Sequence, residues 1–364
     1  VGRDPRPHSD PLFKSLAQGL TMQGADVVDL GLCSTCMSNF ANGRLKADAS
    51  IMITASHNPG EWNGFKLSRA SAVPISGSTG IQDLERICQE GRFAAPAKKA
   101  GQMSSHAILA DYVAHVKKIA NLQRPVRVAA DMANAMGTYE AKAFEGLLQV
   151  DPLFDTLDGT FPNHEANPMH LETLKPLQKL IRSGKYDFGV AFDGDADRAG
   201  FLDEKGNVIP MDLTGALIAQ DLLAREKGVI FYDLRSTKSF KEIIEESGGT
   251  AMMSRVGHAF IKQQMRETNA LFAGELSGHY YFRGNYFTES SAMATLCIAN
   301  IVSRSSKPLS ELIAPMRRFF ASGEINSQVK DAGKVLDAVK ARYNDGKILE
   351  LDGVSVEYAN YWFN

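Results

Sequence analysis

The sequence predicts an α/β protein of several domains, with mainly parallel sheets covered by helices. Short apolar runs alternate with segments of helical period over most of the chain, a β-α-β rhythm that builds parallel sheets. At 364 residues the chain exceeds one ordinary core, so two to four domains are expected. A composition 44% apolar and 23% charged is that of a soluble globular protein. The formal charge of −2 gives no reason to expect nucleic acid or a membrane as partner. No apolar run approaches the roughly 20 residues of a membrane span, and no signal peptide is recognised.

The elements follow in order. Ser9-Asp10-Pro11 starts a helix over Pro11–Gln23, and Asp26–Leu30 and Ser50–Thr54 read as strands. Val126–Asp131 is a strand followed by a helix at Ala135–Leu148, and Tyr186–Phe192 is a buried strand. Val229–Asp233 is a strand, Ser236–Ser247 a helix, and Ala251–Ser254 a strand. His258–Thr268 then reads as a helix and Leu271–Gly274 as a strand.

Composition shifts at Gly91–Ser105, at the turn Asp203–Asn207 and at Phe320–Gly323 divide the chain. The expected units are residues 1–104, 105–206, 207–320 and a small α+β beginning at 321–364. The first three each carry one polar loop near a strand end, where ligands bind in open parallel sheets. The chain opens on Val1-Gly2-Arg3-Asp4 and closes on Tyr361-Trp362-Phe363-Asn364, which reads as mid-strand. Both ends of a longer protein are therefore expected to be missing.

The cysteines Cys33, Cys36, Cys88 and Cys297 are too few for a disulfide scaffold. Cys33-Ser34-Thr35-Cys36 lacks a second ligand pair for zinc and reads as small residues in a strand-to-helix loop. A reducing, cytoplasmic location fits this usage.

Chemistry concentrates in a few loops. Thr54-Ala55-Ser56-His57-Asn58-Pro59, followed by Asn63-Gly64-Phe65-Lys66, brings a hydroxyl, an imidazole and an amine together. A hydroxyl nucleophile needs such an activator and a nearby positive charge. Asp193-Gly194-Asp195-Ala196-Asp197-Arg198 leaves the strand Phe188–Phe192 with three alternating carboxylates. They can converge only if the chain curls at Gly194 and Ala196, and hard oxygen ligands then suit Mg²⁺. An EF-hand is disfavoured, because its sixth position is Arg198 and a strand precedes it. An aspartyl-phosphate phosphatase or mutase with Asp193 as nucleophile is the other rival, though Ala196-Asp197 stands where Thr or Val should follow.

Gly274-Glu275-Leu276-Ser277-Gly278-His279 places Glu275 and Ser277 to bond vicinal sugar hydroxyls, with His279 as an acid/base. Arg255-Val256-Gly257-His258 opens a helix, whose N-terminus favours anions. Gly2-Arg3-Asp4-Pro5-Arg6 could bring Arg6 to a phosphate on Ser56.

Together these loops resemble the α-D-phosphohexomutase family, most of all its phosphomannomutase/phosphoglucomutase branch. TASHNP with NGFK resembles the phosphoserine loop, DGDADR the Mg²⁺ loop and GELSGH the sugar loop, in the family's order. Asp131-Met132-Ala133-Asn134 and Asp158–His164 also resemble family segments.

The resemblance implies α/β domains around a central cleft. It also implies reversible phosphoryl transfer between C6 and C1 of a hexose phosphate, with a hexose 1,6-bisphosphate that turns around in the cleft. Ser56 would carry the phosphoryl group, and Ser56, Asp193, Asp195 and Asp197 would hold Mg²⁺. His57 would assist Ser56. Lys66 and His279 would move protons, and Arg198 would bind the phosphoryl group. Glu275 and Ser277 would hold the sugar, with Arg6, Arg235, Gly257 and His258 binding substrate nearby. The expected partner is a phosphohexose, and the expected state a monomer or weak dimer.

The departures are specific. The family's arginine-bearing first segment and its Arg-x-Ser-Asn-Thr loop do not appear. Glu324-Ile325-Asn326 and Leu351-Asp352-Gly353-Val354 resemble the start of the fourth domain. Arg235 stands where some relatives have Lys, and Glu289-Ser290-Ser291 where many have Asp-Asp-Gly. Leu276 favours a mannose or glucose substrate over the alternative of phosphoglucosamine, whose enzymes commonly have Gln there.

Overall fold

A computed structural model describes residues 1–323 and 325–364. Glu324, the first residue of the Glu324-Ile325-Asn326 segment, lies outside the described residues.

The first unit holds β1 (Gly2–Arg3), α1 (Ser9–Met22), β2 (Val27–Asp29), β3 (Gly31–Leu32) and α2 (Thr35–Leu45). It continues through β4 (Ala49–Ile53), β5 (Phe65–Arg69), β6 (Val73–Pro74), α3 (Ile81–Glu90) and β7 (Met103–Ser105). Its sheet runs β3-β1-β4-β5-β6. The segment 91–105, where the composition shifts, runs along this unit, because β7 pairs in parallel with β2 from Val27↔Met103 to Asp29↔Ser105.

The second unit holds α4 (Leu109–Val116), β8 (Arg127–Asp131), α5 (Gly137–Glu140), β9 (Gln149–Leu153) and α6 (Lys175–Ser183). β10 (Phe188–Phe192), β11 (Ala199–Leu202) and β12 (Val208–Ile209) complete the sheet β12-β11-β10-β8-β9. The turn at Asp203–Asn207 is the hairpin between β11 and β12, closed by the Asp203 N–H on Asn207 O, so this sheet continues past residue 206. The helix expected at Ala135–Leu148 is only one turn of α-helix, continued as a 3₁₀ turn at Ala141–Phe144. Gly146, with φ +76°, then turns the chain back toward β9.

The third unit holds α7 (Met211–Leu223), β13 (Val229–Asp233), α8 (Lys238–Glu246), β14 (Thr250–Ser254) and α9 (His258–Thr268). β15 (Phe272–Gly274), β16 (Tyr280–Phe282), β17 (Thr288–Glu289) and α10 (Ser291–Arg304) follow, with sheet order β14-β13-β15-β16-β17. α11 (Leu309–Ile313) leads to a last unit of α12 (Ala332–Arg342) and the antiparallel sheet β18 (Lys347–Leu349), β19 (Ser355–Glu357) and β20 (Trp362–Phe363).

The three large sheets share one plan that the sequence does not display as a repeat. In each, three parallel strands are followed by two antiparallel ones. The chain reverses after β4, after β10 and after β15. Ser56, Asp193–Asp197 and Glu275–His279 therefore lie on equivalent reversals at carboxyl ends of parallel strands.

One continuous apolar core joins the first three units. It runs from Phe40 and Met52 through Val128, Phe192 and Phe201 to Tyr280, Phe282 and α10, which is buried from Ser291 to Ser303. Among the described residues, no helix is long and apolar enough to cross a membrane.

Candidate active site

Ser56 follows β4 in the left-handed region, with φ +54°. Its N–H is held by Thr54 Oγ1 at 2.8 Å, so the strained turn is locked locally. Its Oγ donates to Asp193 Oδ2 at 3.2 Å, and His57 Nδ1 lies 3.4 Å from Ser56 Oγ. Gly194 makes this approach possible, since a Cβ there would meet Ser56 O at 2.4 Å.

Arg6 does not face the Ser56 hydroxyl. Its side chain is buried, and all five N–H donors are engaged. One goes to Asp4 Oδ2 at 2.9 Å, and four go to the carbonyls of Ser56, Asn58, Pro59 and Trp62 at 2.5–3.0 Å. This corrects the expectation of Arg6 as a substrate ligand, because no donor is left for a phosphate. Arg6 shapes the serine loop from beneath.

The carboxylate loop curls where the sequence required. Ala196 takes φ +57°, and its N–H closes on Asp193 O at 3.1 Å. Asp193, Asp195 and Asp197 are all buried and offer oxygens within 4.8 Å of one another. Lys66 Nζ bridges Asp195 Oδ2 at 2.6 Å and Asp197 Oδ2 at 2.7 Å. Thr35 Oγ1 donates to Asp195 Oδ2 as well, yet among the described residues Asp195 Oδ1 is buried without a hydrogen-bond partner. An unsatisfied buried carboxylate oxygen among three carboxylates is what an oxygen-seeking divalent cation would relieve.

The electrostatics agree with that geometry. Burial, then the charges of Asp195 and Asp197, raise the Asp193 carboxyl well above its ordinary range. Burial would lower the Lys66 ammonium, but Asp195 and Asp197 outweigh it and raise it, so Lys66 stays charged. Burial, with Arg198 nearby, lowers the His57 imidazole to about 4, so His57 is neutral at pH 7.

His279 closes the cluster. Its Nε2 lies 3.3 Å from Asp197 Oδ1 and accepts from Arg198 Nε at 3.3 Å if neutral. Its Nδ1 meets Ser277 Oγ at 2.8 Å and Glu275 Oε2 at 3.2 Å. Burial opposes its charge, but Asp197 and Glu275 raise it to about 9. Glu275 is correspondingly held ionised at about 2, because His279 and the Tyr281 hydroxyl at 2.5 Å overcome its burial.

Gly257 and Arg235 connect to the same loop. Gly257, in the left-handed half of the map at φ +121°, turns its N–H toward Glu275 Oε1 at 3.4 Å. Arg235 pairs with buried Asp233 at 2.7 Å, and Asp233 also accepts the Leu276 N–H at 3.1 Å. His258 begins α9 with an exposed side chain.

The structure thus brings Ser56, His57, Lys66, Asp193, Asp195, Asp197, Arg198, Glu275, Ser277 and His279 into one cluster. Arg235 and Gly257 border it. Sequence reasoning missed Asp233, Thr35, Tyr281 and the buried Lys262–Glu289 pair at 2.6 Å. Asp233 ends a strand, as Asp193 follows one, and that signal could have found it. The other contacts carry no local signal.

Comparison with known proteins gives the same picture. Residues 1–95, 110–206 and 210–319 match the families described as phosphoglucomutase/phosphomannomutase alpha/beta/alpha domains I, II and III. The phosphomannomutase of Escherichia coli is 34% identical over 380 residues, covering 100% of this chain and 83% of that protein. The phosphoglucomutase of Neisseria meningitidis is 35% identical over 368 residues, covering 98% of this chain and 79% of that protein. A crystal structure of a phosphoglucomutase/phosphomannomutase family protein from Burkholderia thailandensis superposes with a TM-score of 0.88 at 30% identity, covering 100% of this chain and 80% of that one. The chain belongs to the phosphoglucomutase/phosphomannomutase family of α-D-phosphohexomutases.

Proposed function

We propose that this protein reversibly transfers a phosphoryl group between C6 and C1 of a hexose phosphate, mannose first and glucose as well. Ser56 carries the group, and a hexose 1,6-bisphosphate is the intermediate. One observation carries the reading: Ser56 Oγ lies 3.2 Å from a cluster of three buried carboxylates that leaves an oxygen unpartnered. The four units would supply in turn the serine, the cation ligands, the sugar loop and the beginning of a phosphate-binding unit.

Asp193, Asp195 and Asp197, with an oxygen on Ser56, would hold Mg²⁺, which when bound offsets charge on the group in transfer. The protein's own residues do the rest. A sugar hydroxyl attacks phosphorus as the P–O bond to Ser56 breaks, and the hydroxyl proton passes to a neighbouring base. Ser56 Oγ leaves with the bonding pair, and the reverse step restores the phosphoserine with the other sugar oxygen as leaving group. Lys66 and His279 are both held charged and serve as donors to the departing oxygen. His57, neutral and 3.4 Å from Ser56 Oγ, is the base available to the serine. Glu275 and Ser277 hold sugar hydroxyls, with Arg198, Arg235, Gly257 and His258 around the substrate. Positioning carries most of the catalysis in such transfers.

Intact mass and peptide mapping, before and after treatment with hexose 1,6-bisphosphate and Mg²⁺, test the reading. An acid-stable phosphate on the peptide holding Ser56 is the expected result. An unmodified Ser56 after that treatment, or a hydroxylamine-labile phosphate on Asp193, overturns it.

A further inference from the structure

Two motifs remain without a role: the Cys33–Cys36 turn and the Glu289-Ser290-Ser291 segment. They meet at one buried acid. Glu140, at the end of α5, is 0% exposed. Its Oε1 accepts from Ser34 Oγ, and its Oε2 accepts from the Tyr112 hydroxyl at 2.8 Å. Tyr112 in turn lies 3.1 Å from Ser290 Oγ.

Ser34 and Ser290 have the same office. Ser34 caps α2, accepting from Met37 N–H, and Ser290 caps α10, accepting from Met293 N–H. Each serine oxygen thus takes a helix N–H, and its proton is directed toward Glu140, directly or through Tyr112. The next residue after each cap grips the carboxylate loop. Thr35 donates its N–H to Asp195 O at 3.0 Å and its Oγ1 to Asp195 Oδ2. Ser291 Oγ donates to Ala196 O at 2.7 Å. One carboxyl from the second unit therefore fixes helix starts in the first and third, and those starts fix the loop.

We propose that Glu140 is a positioning residue, a three-way pin that sets the carboxylate loop for cation binding through Ser34 and through Tyr112–Ser290. The proposal rests on the reading that Asp193, Asp195 and Asp197 hold a divalent cation. The acid's surroundings fit the role. Burial pushes its carboxyl up to about 7, while the hydroxyls of Ser34 and Tyr112 and the Ala292 N–H pull the other way. A buried acid held against that cost specifies one arrangement of its partners.

Mn²⁺ affinity, measured by calorimetry, tests it apart from turnover. Glu140→Ala, confirmed folded by circular dichroism, is expected to bind Mn²⁺ about 10-fold more weakly, the scale of losing a group that orients a metal ligand. Glu140→Gln keeps an acceptor for one hydroxyl and is expected to fall between. Tyr112→Phe removes one arm with little change of volume, and covers the case in which Glu140→Ala does not fold. It is expected to weaken Mn²⁺ several-fold and to lower kcat with KM nearly unchanged. Folded Glu140→Ala or Tyr112→Phe with wild-type Mn²⁺ affinity overturns the proposal and leaves the cation site standing. Wild-type protein that binds no Mn²⁺, or binds it as well after Asp195→Asn, overturns the cation reading, and the pin falls with it.

Discussion

The serine loop is half-exposed, and a single buried cation holds it: Arg6 reaches four of its carbonyls from beneath. The carboxylate loop that faces it is buried and is held by hydroxyls and amides from three units. Thr35 comes from the first, Met136 N–H on Gly194 O at 3.3 Å from the second, and Ser291 from the third. The difference follows from what each loop must do. A loop that receives a phosphoryl group must admit substrate, so its anchor is turned away from the reacting oxygen. A loop that presents three carboxylates repels itself, and only a rigid, many-sided grip keeps its oxygens converged.

Four experiments break or sharpen this comparison. The largest effect is expected at the serine. Ser56→Ala should lower turnover by about 10⁴-fold or more, since the group that carries the phosphoryl is lost. Its melting temperature should be unchanged, because Arg6 holds the loop through backbone; a parallel loss of stability would contradict that.

The grip on the carboxylate loop should show in pH. Glu140, raised by burial from 4.5 to about 7, stabilises the fold below pH 4.5 relative to higher pH. That contribution is lost as pH rises through 7, a fall of up to about 3 kcal/mol. Cys36 and Tyr112, which face it, are both raised by burial and stay neutral across this window. Denaturant unfolding of wild type and Glu140→Gln from pH 5 to 8 checks the sign. The difference in stability between them should shift in favour of Glu140→Gln as pH rises, and a constant difference would sink the assignment.

Arg6→Lys replaces five fixed donors with three and should cost about 2–3 kcal/mol. Thermal unfolding measures it, and the serine loop should become the first site of proteolysis. The smallest effect is expected for Thr35→Val, which removes one hydroxyl from Asp195. Mn²⁺ affinity should fall about 10-fold, while phosphate still loads on Ser56. Loss of loading with intact Mn²⁺ affinity would show that the two loops are not held independently.

The strands legible in the sequence were those whose short apolar run ends in a polar loop; the antiparallel strands after each reversal, such as Phe65–Arg69 and Ala199–Leu202, were not read. Val229–Asp233 and the helix His258–Thr268 appear with the expected bounds. α10 was not legible. It is buried on every side from Ser291 to Ser303, so no amphipathic period marks it. α7, with ten buried residues, escaped for the same reason. The site divides in the same way. Its loops announce themselves by residue type, but their supports come from far along the chain, 160 residues from Thr35 to Asp195 and 106 from Ser34 to Glu140.

By itself the sequence determined the chemistry: a serine beside an imidazole, three alternating carboxylates after a buried strand, and a Glu-x-Ser-x-His turn. Residue identity and short spacing are enough for that, since each motif acts within one reversal of the chain. Only the tertiary structure decided how the motifs face one another. It turned Arg6 away from the Ser56 hydroxyl, set Lys66 between Asp195 and Asp197, and placed Glu140 where three units join. Those contacts depend on how separate sheets pack, and packing is set by the whole buried surface rather than by any local stretch.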